Sequence, residues 1–327
     1  MRGAVRFLGP LAALALASGA TFAQEYPTRP VTLIVPFAAG GTSDVIARLA
    51  AEHMSRILGQ QIINENTPGA GGTSALTRLS RATPDGYTIG IGNSGTNAAS
   101  YLIHKHLIKY QPDAFVPVGL VGKTLPVIAI RKDFPAKDLK EFIAYAKANP
   151  GKVNLGHAGV GSSNYLICKA FVQAAEIDAT LVSYRGAAPA LADAMAGLID
   201  GVCDAAASLT SSIQGGTVRG LVIAAPNRLP TLPDVATAAE AGLPAFQLSG
   251  WNGFFAPKGT PEPILKKLNA ALREAVATEP FKRRMEELGS IPAMGDELTP
   301  EFVARLVPAE IERAGKLFGD DLKGLKH

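Results

Sequence analysis

The chain has 327 residues, 47% of them hydrophobic, 18% charged and 6% aromatic, with 34 Gly, 23 Pro and two Cys. That length supports two lobes or one large α/β domain with a sizeable core, and it excludes a disulfide miniprotein and extended disorder. The formal net charge is +4, from 32 basic and 28 acidic residues. Arg2 and Arg6 lie in a leader that is removed, and without them no basic stripe remains for a nucleic acid.

Residues Met1 to Ala23 have the pattern of a secretory leader: a charged start, an apolar core from Phe7 to Ala17, and small residues at Thr21-Phe-Ala23, with the cut placed before Gln24. The apolar run is too short to span a bilayer, and Pro10 interrupts it. No cysteine sits near the cut, so no lipid anchor is expected, and the mature protein is predicted to be soluble and exported. In an oxidising compartment Cys168 and Cys203 can close a loop of roughly 35 residues, worth on the order of 4 kcal/mol by chain entropy. A buried pair of free thiols is the alternative, and the bridge is the preferred reading.

From Val31 onward, strands alternate with helices. Val31 to Val35 is a β-branched strand, Val45 to Leu58 is an amphipathic helix stopped by Gly59, and Gln61 to Asn64 is the next strand. A Gly-rich loop, Thr67 to Thr73, leads to a helix over 74–82 and a strand over 87–91. A second run begins near Leu125: strand 127–130, helix 139–149, strand 153–156, helix 165–176, strand 180–184, helix 187–198, and strands 201–204 and 220–225. Residues 246–255 form a strand returning to the first lobe, followed by helices over 262–278, 279–288 and 300–317. Such alternation predicts mostly parallel sheets flanked by helices. The predicted organisation is a discontinuous first lobe (24–124 and 248–327) and a second lobe (125–247), with a cleft between them.

Two loops each follow a strand and open a helix, one per lobe: Pro36-Phe-Ala-Ala-Gly-Gly-Thr-Ser-Asp44 and Gly159-Val-Gly-Ser-Ser-Asn164. Glycines permit close backbone approach, and the free N–H groups of a helix's first turn favour an anion such as a carboxylate. Ordinary capping by Thr42 or Ser43 and by Ser162 or Ser163 explains either loop alone; the matching pair points to a site. Arg185, at a strand end, can hold a carboxylate or pair across the surface, and Asp204, at another strand end, can accept a hydrogen bond from a ligand or the hinge. Other motifs fail on inspection. Gly90 to Gly95 fits a dinucleotide pattern but lies within a strand. Gly122-Lys-Thr124 has Pro117 where a phosphate-binding loop needs its first glycine. Ser94 lacks the closing glycine of a nucleophile elbow, and His104 and His106 have no acidic partner nearby for a metal.

The sequence resembles the Bug-type periplasmic solute receptors of tripartite tricarboxylate transport systems. The resemblance runs from about Tyr26 to the C-terminal helices and is carried by Tyr26-Pro-Thr-Arg-Pro30, the Pro36 to Asp44 loop, Asn66-Thr-Pro-Gly-Ala-Gly-Gly72, Val182-Ser-Tyr-Arg-Gly186, Leu232-Pro-Asp-Val235 and Phe255-Ala-Pro-Lys-Gly-Thr-Pro261. It implies a two-lobed Venus-flytrap fold of the type II periplasmic-binding-protein class that closes on a small carboxylate. By this resemblance Phe37, Ala38, Ala39, Gly40, Gly41 and Thr42 clasp the carboxylate with Gly161, Ser162, Ser163 and Asn164, while Ser94, Tyr184, Arg185 and Asp204 line the cleft. Departures from the family pattern fall at Asn164 or Tyr165, where many relatives have histidine, and at Cys203, where many have an aromatic residue.

The expected function is that of an exported, periplasmic, non-catalytic receptor, monomeric and without cofactor or metal, that hands an organic carboxylate to the membrane components of a transporter. A secreted hydrolase or isomerase acting on a carboxylate, and a ligand-sensing module for a signalling partner, are the competing readings.

Overall fold

The computed structural model describes residues 26–324; the predicted leader and its cut before Gln24 lie outside the described residues. The first sheet begins with β1 (Val31–Val35), α1 (Thr42–Leu58), β2 (Ile62–Asn66), α2 (Thr73–Ser80) and β3 (Thr88–Asn93). A π-helical turn over Gly95–Ala99 then runs into α3 (Ser100–Ile103) and β4 (Phe115–Thr124). After Leu125 the chain enters the second sheet through β5 (Pro126–Arg131), α4 (Leu139–Ala148), β6 (Val153–His157), α5 (Ser163–Ala175) and β7 (Ala179–Ser183). It continues with α6 (Ala187–Met195), β8 (Gly201–Ala205), α7 (Ala206–Gln214) and β9 (Val218–Ile223). The chain then returns with β10 (Gly250–Pro257), α8 (Glu262–Ala277), α9 (Glu279–Glu287), β11 (Ser290–Pro292) and α10 (Pro300–Gly324).

The six-stranded sheet has the order β11-β4-β10-β3-β1-β2, and the five-stranded sheet β7-β6-β8-β5-β9. In each, parallel pairs form one side: β1 with β2 and β3, and β6 with β7 and β8. The strands that carry the chain between sheets, β5 and β10, lie antiparallel to their neighbours. They enter from the other lobe, so they must run against the βαβ strands they join, and both sheets are mixed.

Alternation along β5 sorts the core of the second sheet. Ile128 and Ile130 face Phe142 and Phe171, while Val127 and Ala129 face Leu209 and Ile223. On the first sheet, Ile46, Ala50 and Met54 of α1 pack with Leu33 and Leu272 in one buried cluster. The long strand β4 is the largest element that apolar patterning failed to mark, because Pro117 and two glycines interrupt it. Pairing with β10 is irregular there, the register shifting between Phe255 opposite Pro117 and Phe254 opposite Gly119. A bulge of this kind is where a strand tolerates proline. Helix α6 stops short of Leu198 because Gly197 takes φ +78°. Cys168 of α5 and Cys203 of β8 form a disulfide that closes a 35-residue separation.

Candidate functional site

The loop after β1 is shaped by one side chain. Asp44, in the first turn of α1, accepts hydrogen bonds from Gly40 N–H (2.9 Å), Arg48 Nε (2.9 Å) and Asn66 Nδ2 (2.9 Å), and Asn66 also donates to Phe37 O (2.9 Å). Burial alone would raise the Asp44 pKa, but these donors hold its carboxyl below the usual carboxylate range. Gly41 sits at the N-cap of α1 and offers no side-chain cap, so the N–H groups of Thr42 and Ser43 have no acceptor among the described residues. Helix α1 starts at Thr42 rather than Val45. Polar residues that carry no hydrophobic periodicity still suit a first turn, where Asp44 meets the positive end of the helix dipole.

The matching loop after β6 closes on itself. Ser162 N–H donates to Gly159 O (3.0 Å), and the Ser162 hydroxyl accepts from Tyr165 N–H (3.1 Å) as the N-cap of α5. The N–H groups of Ser163 and Asn164 are left without an acceptor among the described residues. Gly161 has φ +83°, and a Cβ there would lie 2.7 Å from the His104 ring, so both conformation and space require glycine.

Both helix N-termini open onto one cavity between the sheets. Of the residues expected at the site, Phe37, Gly41, Thr42, Ser94, Ser163, Asn164 and Asp204 line it. Ser43, Thr124 and Asn252 line it as well and were not anticipated. Ser43 Oγ donates to Asn252 Oδ1 (3.1 Å) and accepts from Asn93 Nδ2 (3.1 Å). A polar residue inside the apolar run Trp251 to Pro257 is the signal that would have found Asn252.

The other expected residues stand elsewhere. Gly40 N–H is consumed by Asp44, and the Ser162 hydroxyl by its capping bond. Ala38 N–H donates to Arg185 O (3.4 Å), so Ala38 joins the sheets by a backbone contact, and Ala39 and Gly161 do not line the cavity. Tyr184 and Arg185 line a separate groove with Gly71, His104 and Val160; Ala158 borders both spaces. The Tyr184 hydroxyl donates to Asp193 Oδ2 (2.7 Å). Tyr184 and Arg185 follow β7, which lies at the sheet edge, one strand further from the cavity than β6, and this explains their displacement.

Direct bonds join the two halves. Thr42 Oγ1 donates to Asp204 Oδ1 (3.0 Å), and His104 Nε2 lies 2.9 Å from Val160 O. Asp204 is 3% exposed. Its carboxylate also accepts from Ala205 N–H (2.8 Å) and from the Ser208 hydroxyl, yet burial pushes its pKa up despite these donors. The described lining contains no Lys, Arg or His. Among the described residues no group of His, Cys, Asp and Glu could hold a metal ion, and no helix is long and apolar enough to cross a membrane.

Residues 46–320 match the model of the tripartite tricarboxylate transporter family receptor. The chain belongs to this receptor family. The receptor is 36% identical over 317 residues to the UPF0065 protein in the TAR-I ttuE-ttuC' intergenic region of Agrobacterium vitis, covering 96% of this chain and 91% of that one. It superposes on MatC from Rhodopseudomonas palustris, solved with bound malate, with a TM-score of 0.85 and 41% identity, covering 89% of this chain and 99% of that one. The periplasmic binding protein BugD gives a TM-score of 0.86 at 37% identity, covering 90% and 98% of the two chains. The two-lobed periplasmic-binding-protein fold inferred from the sequence is therefore the fold of the receptor.

Proposed function

We propose that the receptor binds a small organic carboxylate in the cavity between its sheets and delivers it to the membrane components of a tripartite tricarboxylate transporter. One observation carries this reading: the free N–H groups in the first turns of α1 (Thr42 and Ser43) and α5 (Ser163 and Asn164), one helix from each half, open onto the same cavity. Such N–H groups and the two helix dipoles favour a negative guest in a cavity without cationic side chains. The malate recorded in MatC supports the ligand class.

In this reading the lobes divide at the crossings near residues 125 and 248, into 26–124 with 248–324 and 125–247. The leader 1–23 directs export, and the mature receptor works as a monomer in the periplasm. The ligand touches both lobes only when they are shut, so binding shifts the population toward the closed form. The protein acts without catalysis. Among the described residues Ser94 makes no bond to a base, and the Asp204 carboxylate is engaged by Thr42 and Ser208 instead.

A thermal-shift screen of carboxylates, malate among them, tests the reading. A ligand at 100 times its dissociation constant stabilises the native state by about 2.7 kcal/mol. Stabilisation by carboxylates but not by their amides is expected, with each ligand recovered chemically unchanged. A carboxylate panel that leaves the transition unmoved would overturn it.

A further inference from the structure

We propose that Asp204 is uncharged when the cavity holds its anion, so that an Asp204 carboxylate ionised in the empty receptor takes up a proton as the ligand binds. The inference rests on the carboxylate reading and adds to it a named proton acceptor and a ligand preference.

Asp204 lies one residue before the end of β8, lines the cavity and is 3% exposed. A carboxylate ligand placed beside it adds a second negative charge to a closed space where solvent screening is weak. Among the described residues nothing opposite in sign lines the cavity to balance the two. From α1, Asp204 faces Thr42; Asp44, two residues on, turns its carboxylate to Arg48 and Asn66. From α7 it faces Ser208, and from β5 Val127 lies opposite it. From α5 it faces Asn164, whose amide donates to Cys203 O (3.0 Å) and also to the Asp204 carboxylate, a neutral donor that does not balance charge. On the neighbouring strand β6, His157 accepts a hydrogen bond from Gly159 N–H at Nδ1 (3.1 Å), and burial pushes its pKa down to about 4, so it is neutral as well. Arg185 belongs to the separate groove.

Two like charges sharing a dry site cannot both persist; one binds a proton. Burial already biases Asp204 toward its neutral form, and the Thr42 and Ser208 hydroxyls can rotate to accept from it. A neutral carboxyl is also a donor, which suits a second carboxylate or a hydroxyl on the ligand. An ionised Asp204 would instead select a ligand that carries an ammonium group.

The test is calorimetric titration of the mature protein with malate from about pH 7 to pH 9, where both malate carboxyls are ionised, in two buffers of different ionisation heat. Where wild-type affinity falls with pH, by up to tenfold per unit, uptake of up to one proton per malate is expected. Asp204→Asn, neutral at every pH, is expected to take up none and to hold a constant affinity close to the wild type's best. Constant wild-type affinity matched by Asp204→Asn also supports the proposal, as an Asp204 neutral throughout. Constant wild-type affinity without proton uptake, with Asp204→Asn at least about tenfold weaker at every pH, overturns it. If the variant does not fold, the wild type decides by comparison with aspartate: binding aspartate about tenfold more tightly than malate overturns the proposal, and the reverse order supports it. Failure of every carboxylate to bind is a different result, and it rejects the carboxylate reading on which the proposal rests.

Discussion

Thr42→Val removes one hydroxyl at nearly constant shape, and the structure specifies where the loss is felt. Thr42 Oγ1 reaches Asp204 Oδ1 at 3.0 Å and Ser208 Oγ at 3.3 Å, both in the other half of the molecule. When the lobes part, water solvates these groups and the valine costs little. When they close, Asp204 is buried with one partner fewer, at a cost of about 1–3 kcal/mol. The penalty falls on the closed form alone, so it appears as a loss of affinity of about 5- to 150-fold. Calorimetric titration with malate at constant pH measures this directly, and thermal denaturation of the ligand-free protein is expected to change little. A dissociation constant within ~2-fold of the wild type would show that the bond does not hold the lobes together, and the reasoning would fail.

Three further outcomes follow from the same geometry. Gly95→Ala places a Cβ 2.2 Å from Ser163 N across the cleft, at a residue with ordinary backbone angles; binding is expected to be lost with folding retained, read by titration beside circular dichroism. Replacing Cys168 and Cys203 together by Ala opens a 35-residue separation and is expected to lower unfolding stability by about 4 kcal/mol, visible as an earlier denaturant midpoint. His157 is 1% exposed, and burial sets its pKa at about 4 against 6.5 unfolded. The unfolded chain therefore binds the proton first, so the stability from the neutral ring is complete above about pH 6.5 and is lost as pH falls toward 4, by about 3 kcal/mol in all. His157→Gln is expected to flatten that part of the stability profile measured by denaturant titration.

Where local chemistry dictates local structure, residue order was sufficient. The β-branched run Val31 to Val35, the Gly59 stop and the glycine-bearing turns before α1 and α5 could all be placed from the sequence. The alternation of strands and helices gave the α/β class, because period and punctuation are properties of short segments. The family motifs gave the two-lobed form and the receptor's ligand class for the same reason: each is a contiguous string.

What depended on approach in space was not legible in this way. Pro117 and the glycines of β4 argue against a strand until β10 supplies the partner that makes a bulge tolerable. Asn252, Asn93 and Ser43 meet through bonds spanning 50 to 209 residues, and no spacing along the chain encodes that meeting. Arg185 and Tyr184 share a motif with the family's site, yet the edge position of β7, which they follow, puts them in the adjoining groove. Asp204 could be named from sequence as a strand-end carboxyl. Its burial, its bond to Thr42 across the cleft and the lack of a cation in the described lining arise only when the two sheets come together, since charge balance in a cavity depends on which residues surround it.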